Sequence, residues 1–180
     1  MTLMRLFGME LLILNTTLLD GSEEYPQDMS AEKRIAQLKR IAVMNLKKEG
    51  GVSRTAGNEL LDAVQTQHDM IYEEICLCDP SIIICCGLTS SGITGNATLL
   101  KDYVLPVSAE WVSFRSKTFD RNWWYYFTEI KGKQIPVISF CHPQVTNLDG
   151  FRGHEKLFIP LYRDMLYIRE LFLKTATGGG

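Results

Sequence analysis

Ile135-Pro-Val-Ile-Ser-Phe-Cys-His-Pro-Gln144 is an apolar run of strand character that stops on a polar, conformationally restricted Cys-His-Pro. A buried strand ending this way delivers one imidazole, that of His142, to the rim of a sheet. Pro143 then turns the chain out into a loop, because its fixed φ and missing N–H cannot continue a central strand. Two earlier stretches share the grammar. Ile41-Ala-Val-Met-Asn45 runs into Leu46-Lys47-Lys48, and Ile82-Ile-Ile-Cys-Cys86 runs into Gly87-Leu-Thr-Ser-Ser91. Open α/β sheets bind ligands outside the carboxyl ends of their parallel strands. Polar residues at the ends of all these strands therefore predict a common site there.

Working outward, the clearest helix runs from Asn58 to Cys78, with Leu60, Leu61, Val64, Ile71 and Ile75 on one face. Asp79-Pro80 ends it, since proline biases the preceding residue away from the helical region. The run 82–86 is apolar at every position, which implies cover on both faces, as in a parallel sheet. A strand over 41–46, this helix and that strand make a βαβ unit, right-handed by steric default. Upstream, Glu10-Leu-Leu-Ile-Leu-Asn15 is a candidate strand, and Ser30 is an N-cap for a short helix over Glu32–Leu38. Downstream, a Gly/Thr/Ser loop (87–98) precedes the aromatic run Trp123-Trp-Tyr-Tyr-Phe127, read as core and sheet face. Lys131-Gly132-Lys133 links that run to 135–140 with hairpin spacing. The last element, from Pro160 to Lys174, puts Leu161, Met165, Ile168 and Phe172 on one helical face. The expectation is a single α/β domain over residues 1–174, a three-layer α/β/α sandwich with a short, mainly parallel sheet, and a flexible tail over 175–180.

Composition bounds the function. A chain of 180 residues suffices for one domain with a real core. Hydrophobic residues make up 46% and charged ones 22%, ordinary globular usage. A net charge of −2 implies no overall attraction to nucleic acid or membrane, although the 19 Lys and Arg leave room for a local basic patch. The five cysteines, Cys76, Cys78, Cys85, Cys86 and Cys141, have no disulfide-scaffold spacing and suit a reducing, cytoplasmic setting. Neither Cys76-x-Cys78 nor Cys85-Cys86 has metal-site spacing, and no cofactor is implied. No apolar run is long enough to span a bilayer.

Each candidate site residue has a structural alternative. His142 is either a neutral imidazole donating to an oxygen that develops negative charge, or a strand-end histidine satisfied by backbone. Asn45 offers a donor and an acceptor side by side, matching a pyrimidine edge, or it simply closes a strand as a turn residue. Gly87-Leu-Thr-Ser-Ser-Gly92-Ile-Thr94 lacks the lysine of a nucleotide phosphate loop, since Ile93 holds that place. Thr89, Ser90 and Ser91 keep a weaker role, holding a DNA phosphate through hydroxyl and N–H groups; an ordinary polar loop is the alternative. Phe151-Arg152-Gly153-His154-Glu155-Lys156 could track a backbone and wedge a base stack, and equally fits a solvated loop before a helix.

The order and spacing of these stretches resemble the uracil-DNA glycosylase superfamily over roughly residues 40–160. Ala42-Val-Met-Asn45 is similar to that family's base-reading strand end. Pro80 to Gly87 looks like its third strand, and Ile138-Ser-Phe-Cys-His-Pro-Gln144 like its His-Pro motif. The resemblance implies that architecture and base excision from DNA. A uracil is flipped out, Asn45 reads its Watson–Crick edge, His142 stabilises charge on the departing base, and water attacks the sugar. Leu148 or Phe151 would wedge the gap, with Lys47, Lys48, Thr89, Ser90, Ser91, Gln144 and Arg152 on DNA. The chain departs from the family in two places. The Gly-rich first motif, which positions the attacking water, is not found before Asn45. In addition, Leu12-Ile-Leu-Asn15 also resembles the base-reading strand, making Asn15 a rival of Asn45. A catalytically silent DNA, nucleotide or protein binder of the same fold is the alternative.

Overall fold

A tight turn at Lys131-Gly132 sets the centre of the sheet. The computed structural model of the chain describes residues 30–39, 41–46, 57–86, 95–105, 110–140, 147–148, 151–152, 163–164, 167 and 170. In chain order the elements are α1 (Ala31–Leu38), α2 (Gly57–Cys78), β1 (Ile83–Cys86) and α3 (Asn96–Leu99), which continues as a π turn over Leu100–Val104. Then come β2 (Val112–Arg115), β3 (Asn122–Ile130), β4 (Lys133–Phe140), β5 (Asn147–Leu148) and β6 (Phe151–Arg152). Two compact units result, one of residues 43–115 with 122–142, the other of residues 1–42 with 116–121 and 143–180. The single domain expected over 1–174 spans both, and the tail 175–180 lies outside the described residues.

The first unit holds a four-stranded sheet in the order β1-β4-β3-β2. Lys131 and Gly132 take φ values of 50° and 76°. Both central residues of a type I′ turn need positive φ, and that turn matches the twist of the strands it joins. A connection this short makes β3 and β4 antiparallel. β2 pairs antiparallel with β3, and β1 pairs parallel with β4. The expectation of a mainly parallel sheet is therefore corrected: among the described residues of this sheet one pairing is parallel and two are antiparallel, a mixed sheet with helices. In direction, however, β1, β2 and β4 run together, with β3 alone against them.

The strand expected over 41–46 is also corrected. Ile41 to Asn45 has no regular structure, and among the described residues it pairs with no strand. Val43 and Asn45 are exposed, Met44 packs against the core, and Leu46 is buried in it. An apolar run, which reads as a strand, is accommodated here by packing Met44 and Leu46 against the core alone. The parallel partner of β1 is β4 instead.

The apolar face of α2 behaves as its spacing demands. Val64, Ile71 and Ile75 are buried against Cys85 of β1, Ile135 and Val137 of β4, and Tyr126 and Ile130 of β3. Ala97, Leu100 and Leu105 close the same cluster. The helix kinks at Gln67 (φ −113°, ψ 15°), where polar Gln67-His68 interrupts the stripe between Val64 and Ile71. Beside the kink, the Thr66 hydroxyl donates to the Asp62 carbonyl at 2.7 Å, a back-bond that bends helices. At the helix end Asp79 adopts φ 43°. Lys133 Nζ donates to both its carboxylate oxygens, at 2.9 and 3.0 Å, and Lys131 Nζ donates to the Cys76 carbonyl at 2.7 Å. The Lys133 ammonium thus holds the Asp79 carboxyl below its usual range. On the other sheet face Phe114, Trp123, Tyr125, Ile138 and Phe140 are buried as well. Both faces are covered, as the uninterrupted apolar runs require.

In the second unit, Ser30 caps α1 as expected, its hydroxyl accepting the Lys33 N–H at 3.2 Å. Arg163, Asp164, Tyr167 and Glu170 are helical, inside the helix expected over Pro160–Lys174. Asp164 is almost fully buried and accepts the Ser116 hydroxyl at 2.5 Å and the Lys117 N–H at 3.3 Å. Ser116 Oγ in turn accepts the N–H groups of Thr118 and Phe119. β5 and β6 form a small antiparallel ladder, Asn147 opposite Arg152 and Leu148 opposite Phe151.

Candidate functional site

Strand direction brings the carboxyl ends of β1 and β4 to one rim. In the β1–β4 ladder Cys86 pairs with Phe140, each the last residue of its strand. Gly87 to Ser91 and Cys141-His142-Pro143 therefore continue from neighbouring carboxyl ends on the same edge of the sheet. The carboxyl end of β2 lies on that edge too, where Arg115 pairs with Asn122 at the start of β3. Both Arg115 and Asn122 are exposed. The rim thus combines a cation, an amide and the departure points of the two polar stretches.

Two contacts brace it. Asn96 Nδ2 donates to the Cys86 carbonyl at 2.6 Å, tying the start of α3 to the end of β1. Tyr126, fully buried, donates its hydroxyl to the Ala97 carbonyl at 3.0 Å and holds the same helix to the sheet. Burial pushes the Tyr126 phenol far above the ordinary tyrosine range, with Cys85 and Asp102 adding to the shift. Burial likewise drives the Cys85 thiol up, with Cys86 adding to it, so Cys85 is a protonated core residue and not a nucleophile. At the end of β4, Phe140 stacks on Trp123 with ring centroids 4.7 Å apart.

Of the candidate residues, His142, Asn15, Lys47, Lys48, Thr89, Ser90, Ser91 and Gln144 lie outside the described residues. Leu148, Phe151 and Arg152 are described as backbone, in the β5–β6 ladder. The two wedge candidates, Leu148 and Phe151, are register partners on either side of Asp149-Gly150. Asp-Gly between two short runs is a strong hairpin signal, so this element was there to be found in the sequence. Asn45 is exposed in the segment without a ladder, between Met44 and Leu46, and does not end a strand. The Ser116–Asp164 pair had no sequence signal. Nothing in the spacing of a serine and an aspartate so far apart announces a contact.

Among the described residues no group of three or more His, Cys, Asp or Glu side chains is arranged to hold a metal ion. No described helix is long and apolar enough to cross a membrane. Comparison of the chain with family models, with curated proteins and with solved structures returned no match.

Proposed function

We propose that this protein is a uracil-DNA-glycosylase-like base-excision protein. It binds DNA and hydrolyses the N-glycosidic bond of a flipped base at the rim where β1 and β4 end, within a three-layer α/β/α architecture. The observation that carries this is the parallel, in-register ending of β1 and β4 at Cys86 and Phe140. That pairing starts the Gly/Thr/Ser stretch and the His-Pro stretch from adjacent strand ends, as a phosphate contact and a hydrogen-bond donor acting on one nucleotide require. In this mechanism His142 donates a hydrogen bond to the base oxygen as negative charge builds there, and Leu148 or Phe151 fills the gap in the stack. Register pairing of those two across Asp149-Gly150 suits a wedge, because it sets two apolar residues side by side.

A specific observation favours a second outcome, binding without excision: Asn45 is exposed and outside the ladder, where base reading calls for a fixed strand end. Release of uracil from single- and double-stranded oligonucleotides separates the two. For an active enzyme, His142→Ala lowers the rate by about 10²–10³-fold, the loss typical of one oxyanion donor. Tight binding with no base release by the wild-type protein identifies the silent binder. Absence of both binding and release defeats the proposal.

A further inference from the structure

α2 buries Val64, Ile71 and Ile75 against the sheet and turns a second stripe outward. Thr66, Met70, Glu73 and Leu77 are all exposed and recur at steps of four, three and four residues. That is the spacing of a seam along which one helix packs on another. Leu77 is 83% exposed and Met70 42%. Scattered apolar residues on a surface need no explanation, but these two share one seam, about 10 Å apart along the helix axis. Around them the charge has one sign. From Gly57 to Cys78 the helix carries Glu59, Asp62, Asp69, Glu73 and Glu74 and no lysine or arginine. Asp62, Asp69 and Glu73 are exposed on that outer side. Asp69 and Glu73, at i and i+4, are a like-charge pair that disfavours the helix on its own. His68 Nε2 lies 3.3 Å from Asp69 Oδ1. At the helix end Lys131 and Lys133 are already bonded to the Cys76 carbonyl and to Asp79.

We propose that this outer face of α2 docks a basic amphipathic helix of a partner protein. Met70 and Leu77 supply the apolar anchors, and lysine or arginine side chains flanking the partner's own seam meet Asp62, Asp69 and Glu73. Charge complementarity selects this occupant, since an acidic face repels a nucleic-acid backbone or an anionic bilayer and attracts a polycation. The seam spacing selects a helix, because knobs at 3.5-residue steps fit the holes of a facing helix and not an extended segment. Glu73, which lies on the seam itself, tolerates cover only opposite a cation, and this rejects partners without one. No residue of the rim takes part, so the contact is independent of base excision.

The test is fluorescence anisotropy of a labelled synthetic heptad peptide, leucine on its seam and lysine flanking it, titrated with the full chain. Two further peptides serve as controls: one of the same composition scrambled to destroy the seam, and one with glutamate in place of lysine. Wild type, Met70→Ser with Leu77→Ser, and Asp69→Lys with Glu73→Lys are compared, and thermal melts establish that each is folded. The wild type binds the lysine peptide saturably and the two controls at least tenfold more weakly. The serine pair weakens binding about 10- to 100-fold, the range for losing a buried leucine-sized contact. The lysine pair reverses the preference and takes the glutamate peptide instead, which decides the matter alone should the serine pair fail to fold. Absence of saturable binding by the wild type, equal binding of the scrambled peptide, or unchanged binding in both folded variants overturns the docking face. Sedimentation of the wild type supplies the remaining outcome. A dimer that the serine pair dissolves assigns the face to a second copy of the chain and refutes the basic partner.

Discussion

Replacing Tyr126 by phenylalanine removes one oxygen from the centre of the first unit and keeps the ring. Tyr126 is fully buried, and its hydroxyl donates to the Ala97 carbonyl at 3.0 Å. The ring also receives Trp111 edge to face, a contact that phenylalanine preserves. The Ala97 carbonyl has a second donor, the backbone N–H of Leu100, so the change leaves no orphaned acceptor. The cost is then the net value of one neutral hydrogen bond, about 0.5–1.5 kcal/mol, and not the larger penalty of a stranded buried group. For a chain of this size that is a fall in Tm of roughly 1–6 °C. Urea denaturation monitored by circular dichroism measures it, with the m-value unchanged because the surface exposed on unfolding is the same. Hydrogen exchange should quicken in α3 and the π turn before it changes in β3 or β4, since the lost bond joins that helix to the sheet. A loss above about 3 kcal/mol would contradict the second donor. No loss at all would mean the hydroxyl bond contributes nothing, and the bracing of α3 against the sheet would have to be abandoned.

A neighbouring substitution should act in the opposite sense. Thr128 is buried on the same face as Tyr126, and among the described residues its hydroxyl has no hydrogen-bond partner. Thr128→Val keeps the β-branch and removes the stranded group, raising stability by about 1 kcal/mol in the same urea experiment; a destabilised variant would show that the hydroxyl is satisfied. Alkaline pH should unfold the protein in a way that Tyr126 and Cys85 share. Both groups are raised by burial above their ordinary values of 10.0 and 9.0, so the unfolded chain gives up these protons first and binds fewer of them. Their contribution is fully present below those values and declines as pH rises past them. Urea midpoints at pH 8 and pH 10.5 should therefore fall together, less steeply in Tyr126→Phe; identical slopes would remove Tyr126 from the account.

Much of the first unit was legible because its signals are local. The α2 stripe, the Asp79-Pro80 stop and the positive-φ turn at Lys131-Gly132, and in the second unit the Ser30 cap, each depend on a few adjacent residues, and each is where its residues required. Strand pairing is not local, and there the expectations parted from the fold. Ile41 to Asn45 is an apolar run that reads as a strand but has no ladder, since burying Met44 and Leu46 needs a core to press on and no neighbouring strand. The sheet is mixed because a turn too short for a crossover lies between β3 and β4, and the two antiparallel pairings follow from β3 alone being reversed.

The candidate site divides in the same way. Residue order alone placed polar stretches after the apolar runs at Cys86 and Phe140, and chemistry alone made His142 a candidate hydrogen-bond donor to developing negative charge. Whether those ends meet depends on which strands become neighbours, and that follows from how the whole chain packs. The β1–β4 register brings the two strand ends to one rim, the β2–β3 and β3–β4 registers set Trp124 between Ser113 and Ser139, and Asn45 is outside the ladder. The buried Ser116–Asp164 bond follows the same logic: a buried polar group is tolerated only where folding supplies its hydrogen-bond partner.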